Sequence, residues 1–265
     1  MSHVYAVQGH FITSEDETLD GSGTAPDRIT DSEDRILEGA ERQRFIDDIR
    51  TRLGVETLPG LTLPRLEGFF AATSRARDYL RTRGYSLGLQ QASFAAGHAR
   101  DGGFLSEATR ETLRGLVEES IRPGIEAAEA VLRSPAETRE IWHLLNQEPF
   151  RSFRGHTTYR MLTLQNLERE GILDAATLQR IGELTHSLIQ RGIEAAPDYG
   201  RDVLRNGEGP SDFRSAWIVL SGLRNAAALA GISSDFSEID SLVTDLETNF
   251  APDPERLEFL RALTE

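Results

Sequence analysis

The sequence predicts an all-α protein, and three observations support that fold class. From Asp31 onward, apolar residues recur at spacings of three and four, which is the period of one helix face. Capping or helix-breaking residues separate the periodic segments, and none of these segments alternates like a strand. The chain has 265 residues, of which 38% are hydrophobic, enough to bury a large core. We expect a multi-helix bundle or a short helical-repeat array of about ten helices over residues 31–265.

The expected helices follow one another with short connections. Asp31 or Ser32 is placed to cap the first helix, which Gly54 ends. Pro64 lies near the first position of the second helix, which ends at Gly84. The remaining helices are expected at about 87–100, 106–121, 123–133, 136–147, 157–170, 175–194, 211–230, 235–249 and 253–263.

Residues 1–30 differ from the rest and are expected to form an extended acidic arm. Residues 4–12 have the composition of one short strand. Residues 14–34 carry eight acids against a single base, Arg28. A stretch of this kind buries little apolar surface and stays solvated. One hypothesis is that the arm lies on an arginine cluster of the same molecule until a partner displaces it.

Two segments of the helical part resemble each other. Aligned without gaps, residues 103–128 and 171–196 are identical at 11 of 26 positions, including the run Gly-Ile-Glu-Ala-Ala. A third start, at Gly231, matches only over its first residues. An internal duplication with two helical hairpins in each copy is one interpretation. Convergence on similar caps and similar composition is the other, and the sequence leaves both open.

The charge balance disfavours two classes of partner. The chain has 43 acidic and 29 basic residues, and its formal net charge of -14 repels nucleic-acid backbones and acidic membrane surfaces. No apolar run is long enough to span a bilayer, and the N-terminus lacks a signal-peptide pattern, so a cytoplasmic location is expected. An acidic mimic of nucleic acid is a third functional interpretation, although acids and arginines alternate along most of the chain.

Two residue types are absent, which excludes several chemistries. Without cysteine there is no disulfide, thiolate metal site or cysteine nucleophile. All 29 basic residues are arginine, so Schiff-base catalysis and a P-loop lysine are also excluded. A GC-rich genome, as in many bacteria, explains the missing lysines. Selection against reactive amines, as in an effector exposed to lysine-directed modification, is the alternative.

Three patterns have the ligand spacing of metal sites. Glu140 with His143, and Glu183 with His186, follow the Glu-x-x-His spacing of di-iron bundles. However, the apolar faces of both helices point away from the histidines, so both side chains should face water. Residues 16–27 follow the spacing of a calcium loop, but the usual final glutamate is an aspartate and the preceding segment has strand composition. We therefore predict no metal and no other cofactor.

The first candidate binding site lies at residues 150–160, which include three arginines, one histidine and no acid. Free N–H groups at the start of the following helix, together with guanidinium groups, would hold a carboxylate or phosphate. His156 and Tyr159 are the candidate acid–base groups of an enzyme. The alternative is an interhelical loop whose arginines pair with neighbouring acids. The predicted ligand-binding residues are Arg151, Arg154, His156, Tyr159 and Arg160.

The second candidate is a basic cluster near the end of the second helix, predicted to bind a partner protein: Arg75, Arg77, Arg81 and Arg83. A solvated helix face is the alternative for this cluster. No catalytic motif is recognisable. The sequence therefore favours a helical interaction protein, of an effector or regulatory kind, that binds an acidic or peptide partner. An α-helical enzyme or small-ligand protein with an anionic substrate at residues 150–160 is the alternative, and no pattern predicts the oligomeric state.

Overall fold

The computed structural model describes residues 3–14, 28–55, 62–134, 136–153 and 164–250, and it confirms the all-α class. The centre of the acidic arm, most of the 150–160 site and the last predicted helix lie outside the described residues. The chain divides into two compact units, which are described separately below. Unit 1 comprises Met1–Arg122 and Tyr159–Leu178, and unit 2 comprises Pro123–Thr158 and Gln179–Glu265.

Most helices lie where the periodic segments of the sequence predict them, but the short α6 was not expected and α8 continues past its expected end at residue 194. Their bounds are α1 Gly39–Leu53, α2 Leu63–Arg81, α3 Tyr85–Asp101, α4 Glu107–Arg133, α5 Thr138–Leu145, α6 Phe150–Phe153, α7 Leu164–Arg169, α8 Ala175–Asn206, α9 Pro210–Leu229 and α10 Ser237–Phe250. No helix of the described ranges combines the length and the apolar character that crossing a membrane requires.

Unit 1 begins with a small antiparallel sheet where the sequence predicts only one short strand. The sheet consists of β1 His3–Val7, β2 His10–Ser14 and β3 Arg28–Thr30, in that order. Gln8 and Gly9, with φ of 54° and 76°, form the tight turn that splits the predicted strand into a hairpin. The sheet buries Tyr5, Val7, Ile12 and Ile29 on one face. The backbone N–H of Ala6 donates to a carboxylate oxygen of Glu67 on α2 at 3.0 Å, which satisfies part of the outer edge of β1.

The expected cap of the first helix at Asp31 is wrong. Asp31 Oδ1 accepts the backbone N–H groups of Glu33 and Arg35 at 2.9 Å each, which closes a local turn. Ile36 then bridges back to Thr30 of the sheet, and α1 begins only at Gly39. An aspartate side chain can cap either a turn or a helix, and here the continuation of the sheet favours the turn.

The core of unit 1 is the hairpin of α2 and α3, which pack directly on each other. Leu66, Leu80 and Leu89 are nearly inaccessible to solvent. Phe69 of α2 meets Phe104, just before α4, edge to face with 5.5 Å between ring centroids. These apolar contacts hold α3 against α2, which carries most of the arginine cluster predicted from the sequence.

The two similar segments begin with the same local structure. Gly103 and Gly171 have φ of 72° and 70° and end the preceding helices in the left-handed conformation. Three residues later, Ser106 Oγ accepts the N–H of Thr109 at 3.3 Å, and Asp174 Oδ1 accepts that of Thr177 at 2.7 Å. The hydroxyl of Thr177 also donates to Asp174, and these two hydrogen bonds hold the pKa of the Asp174 carboxyl below its ordinary value. The similarity of the segments therefore has a structural basis in a shared helix-end and helix-start pattern.

Two prolines lie inside long helices, and the expected separation at residue 122 is wrong. Pro123 is within α4 and Pro197 is within α8, which continues to Asn206. A proline removes one backbone donor, and tertiary packing can compensate for that loss. Gly124, next to Pro123, lies directly against the carbonyl of Glu148, so a side chain at position 124 would collide with that segment. The helix α4 therefore continues through Pro123 at a place where it packs closely on the segment at Glu148.

Unit 2 relies on small residues that let helices approach each other closely. Gly192 of α8 lies against Leu223 of α9, and Gly222 of α9 lies against the ring of Trp142 on α5. The buried Trp217 of α9 donates its Nε1–H to Glu247 of α10 at 2.8 Å. This indole hydrogen bond satisfies a polar group that burial would otherwise leave unpaired.

Adding one methyl group at two helical glycines should change stability in opposite directions. A Cβ at Gly222 would overlap the Trp142 ring, so Gly222→Ala should lower the free energy of unfolding by about 1–3 kcal/mol. A Cβ at Gly115 of α4 meets nothing within 4 Å, so Gly115→Ala should raise it by about 0.5–1 kcal/mol. Urea denaturation of both variants tests this, and destabilisation by the two substitutions alike would contradict the packing described here.

Candidate functional site

The arginines that the sequence assigns to partner binding lie in the last turns of α2 in unit 1 and just after its end. We call Arg75, Arg77, Arg81 and Arg83 the α2 arginine surface, and all four side chains are exposed. Arg81 Nη1 lies 3.2 Å from Asp78 Oδ1 in an ion pair whose members are 76% and 63% exposed. Such an exposed pair contributes little to stability. The end of α2 therefore carries four exposed guanidinium groups and one paired carboxylate, in a protein whose formal net charge is -14. Arg75 and Arg77 are two residues apart and lie on different faces of the helix.

Three of these arginines are not committed to internal ion pairs. Within the ranges described above, no carboxylate lies within ion-pair distance of Arg75, Arg77 or Arg83. Other arginines do have such partners: Arg100 binds Glu170 at 3.0 Å, and Arg180 binds Glu129 at 3.0 Å. The α2 arginine surface can therefore bind an external anion without first breaking an ion pair of the fold, except at Arg81.

The end of α2 has the hydrogen bonds of a Schellman motif. The N–H of Gly84 donates to the carbonyl of Tyr79 at 2.7 Å, and the N–H of Arg83 donates to that of Leu80 at 3.1 Å. Arg83 occupies the left-handed position of the motif with φ of 60°. Its side chain consequently leaves the chain beyond the last helical residue, whereas Arg77 and Arg81, four residues apart, share one face of α2.

A histidine that the sequence analysis did not select lies in the seam between α2 and α3. The imidazole of His98 packs on Gly68, where a Cβ would lie 2.5 Å from ring atoms Cε1 and Nε2. Its Nδ1 is shielded from solvent and has no hydrogen-bond partner in the described part of the chain. Burial, followed by the positive charges of Arg65 and Arg75, lowers the pKa of His98, while Asp101 opposes the shift. His98 is therefore neutral at pH 7, and the seam beside Arg75 gains no cation from it.

The predicted ligand site at residues 150–160 is described only at its start. Arg151 lies on α6 with an exposed side chain, directly after the buried Phe150. The other predicted members, Arg154, His156, Tyr159 and Arg160, lie outside the described residues. The suggestion that His156 or Tyr159 acts in acid–base chemistry stays a prediction.

The two Glu-x-x-His pairs lie where the sequence places them. His143 on α5 and His186 on α8 are both exposed, as the positions of their apolar faces predict. His143 Nε2 lies 2.6 Å from the amide nitrogen of Gln147, so its ring is engaged locally. Among the side chains that the structure describes, no three carboxylates or histidines are grouped as metal ligands would be.

Unit 2 contains a groove along α8 formed by two open cavities that share Ser187. The cavity of about 370 Å³ lies between α4 and α8, and the one of about 490 Å³ lies between α8 and Ala136. Several of its polar side chains already have partners. Arg191 donates to the carbonyls of Leu132 at 2.9 Å and Ser134 at 2.6 Å, and Arg180 pairs with Glu129. Leu184, which lines it, is only 3% exposed. We interpret this groove as part of the helix packing, because a ligand would compete with contacts that hold α4 and α8 together.

Comparisons of the chain with protein-family models, with curated proteins and with solved structures find no match.

The lowered pKa of His98 predicts a loss of stability on acidification. As the pH falls through the ordinary histidine pKa, the unfolded chain binds a proton at this residue while the native state resists it, so the free energy of unfolding should decrease. The fall should end once the pH passes below the lowered native pKa.

Urea denaturation at several pH values tests this linkage. His98→Gln should flatten the pH dependence relative to the wild type, because glutamine does not titrate. Equal slopes for the wild type and His98→Gln would show that His98 does not resist protonation in the native state.

Proposed function

We propose that this protein binds an acidic segment of a partner protein at the α2 arginine surface. The observation that carries the proposal is the exposure of Arg75, Arg77 and Arg83 without an acidic partner in the described chain. A guanidinium group offers several N–H donors in a planar fork that fits a carboxylate. Since these groups are free, carboxylates of a partner gain hydrogen bonds while no internal ion pair at these positions is lost.

The charge of the whole molecule favours a short acidic segment over a long polyanion. With a formal net charge of -14, most of the chain repels an extended phosphate backbone. Screening limits this repulsion to roughly 8–10 Å at physiological salt, so a short segment docked at the surface feels mainly the nearby arginines. Because charges act only over this short screening distance, a peptide of a few acidic residues is the favoured ligand.

The exposure of the surface also determines the kind of binding to expect. Solvent-exposed ion pairs contribute about 0.2–1 kcal/mol each, so several are needed for measurable affinity. Exposed charges act mainly on the association rate and are weakened by salt. We therefore propose a reversible, salt-sensitive interaction in which the arginines recognise and orient the acidic segment.

Charge reversal at the surface should abolish most binding to an acidic peptide. The ligand is a fluorescently labelled oligoglutamate peptide, and the measurement is fluorescence anisotropy at low and at physiological salt. We expect the double variant Arg75→Glu/Arg77→Glu to weaken affinity by roughly ten-fold or more at low salt, because two attractive pairs become repulsive.

The matched control is Arg139→Glu/Arg205→Glu, which changes the net charge equally at two exposed arginines of unit 2. This control should stay within about two-fold of the wild type, because its charges lie outside the proposed surface. Equal weakening by both double variants, or no binding by the wild-type protein at low salt, would contradict the proposal.

A further inference from the structure

Five helices of the described chain end in the same Schellman hydrogen-bond pattern, and four of them have glycine at the left-handed position. In each case the N–H of the left-handed residue donates to the carbonyl three residues earlier. The N–H of the next residue donates to the carbonyl five residues before it. The glycines end α1, α3, α7 and α9 and have φ between 62° and 72°: Gly54, Gly103, Gly171 and Gly231. Only α2 has another residue at this position, Arg83 with φ of 60°.

An arginine is an unfavourable choice at this position. A non-glycine residue in the left-handed region lowers the folding equilibrium constant by roughly five- to thirty-fold through contact of its Cβ with the backbone. Glycine avoids this contact. However, glycine has more backbone freedom in the unfolded chain, so part of its advantage in the folding equilibrium is lost. Among the residues described, two further non-glycine residues have positive φ, Gln8 in the β1–β2 turn and Asp34, and neither ends a helix.

Local interactions do not explain why arginine is kept there. A cation near a helix C-terminus favours folding by roughly two- to five-fold through the helix dipole, which is less than the strain. Arg81, in the last turn of α2, already supplies such a cation. No side-chain hydrogen bond or ion pair ties Arg83 to the described residues, and its side chain is exposed. Within the fold, Arg83 therefore has a cost without a matching stabilising contact.

We propose that Arg83 is a specificity-determining residue of the α2 arginine surface, retained in a strained conformation because its guanidinium binds a carboxylate of the acidic segment. This inference rests on the proposed function. Because residue 83 lies beyond the last helical residue, its guanidinium extends the surface past the end of α2, where residues on the helix face do not reach. The bound segment then meets arginines on two sides of the helix end, which restricts the spacing of its acids.

The test measures stability and peptide binding for the same substitution. Arg83→Gly should shift the folding equilibrium toward the native state by roughly two- to ten-fold in urea denaturation, because the strain is removed. The same variant should bind the oligoglutamate peptide at least three-fold more weakly. Opposite changes in the two measurements are specific to a strained binding residue, since a merely structural residue would lose stability on substitution.

Two further variants separate charge from backbone strain. Arg83→Lys keeps both the charge and the strain, so its stability should equal that of the wild type, and its peptide affinity should lie between those of the wild type and Arg83→Gly. Gly231→Arg places an arginine at the corresponding position of α9, where a Cβ meets nothing within 4 Å. It should lose stability without changing peptide affinity, which calibrates the strain independently.

The outcomes distinguish this inference from the proposed function. If Arg75→Glu/Arg77→Glu weakens binding while Arg83→Gly leaves it unchanged, the surface binds the peptide and the role of Arg83 is wrong. If Arg83→Gly destabilises the protein, arginine is favourable at the helix end and the inference is overturned. If the wild-type protein does not bind the peptide, the proposed function and this inference both fail.

Discussion

The structure depends on how the last carbonyl groups of each helix are satisfied. A helix leaves these acceptors without intrahelical partners, and short connections leave few neighbouring groups to bind them. The chain uses left-handed residues to turn its own N–H groups back, as at Gly103 and Gly171. It also uses arginines from elsewhere: Arg191 donates to the carbonyls at the end of α4, and Arg110 donates to the carbonyl of Glu170 after α7 at 2.9 Å. Helices connected by so few residues can pack on each other because both devices bind these acceptors.

The same arginines give a structural use for a composition without lysine. The two terminal nitrogens of Arg191 reach two carbonyls, of Leu132 and Ser134, at the same time. A lysine has a single terminal nitrogen and lacks this planar fork. Arginine therefore serves as a bridging donor inside each unit, which is compatible with either a genomic or a selective origin of the missing lysines. The α2 arginine surface differs because Arg75, Arg77 and Arg83 donate to no acid of the described chain.

Small residues and strained residues have opposite roles in this protein. Gly68, Gly192 and Gly222 are placed where a side chain would collide with a neighbouring helix, so they favour tight packing and the stability of each unit. Arg83 is a large residue at a backbone conformation that suits glycine, and the fold gains nothing evident from it. The other described helix ends of this type have glycine at the left-handed position, and Arg83 is the exception. Backbone strain without a compensating contact often accompanies function.

Local patterns in the sequence were sufficient for the helical class, most helix positions, the helix end at Gly54 and the exposed arginines of α2. These features follow from the period of a helix and from the backbone freedom of glycine. Both are local properties that depend on a few consecutive residues only. Tertiary structure decided the β1–β2 hairpin, the turn at Asp31, the uninterrupted α4 across Pro123 and the contact of His98 with Gly68. Each of these depends on residues distant in the chain or on a choice between two local structures of similar energy. Long-range packing makes that choice, and a local pattern does not contain it.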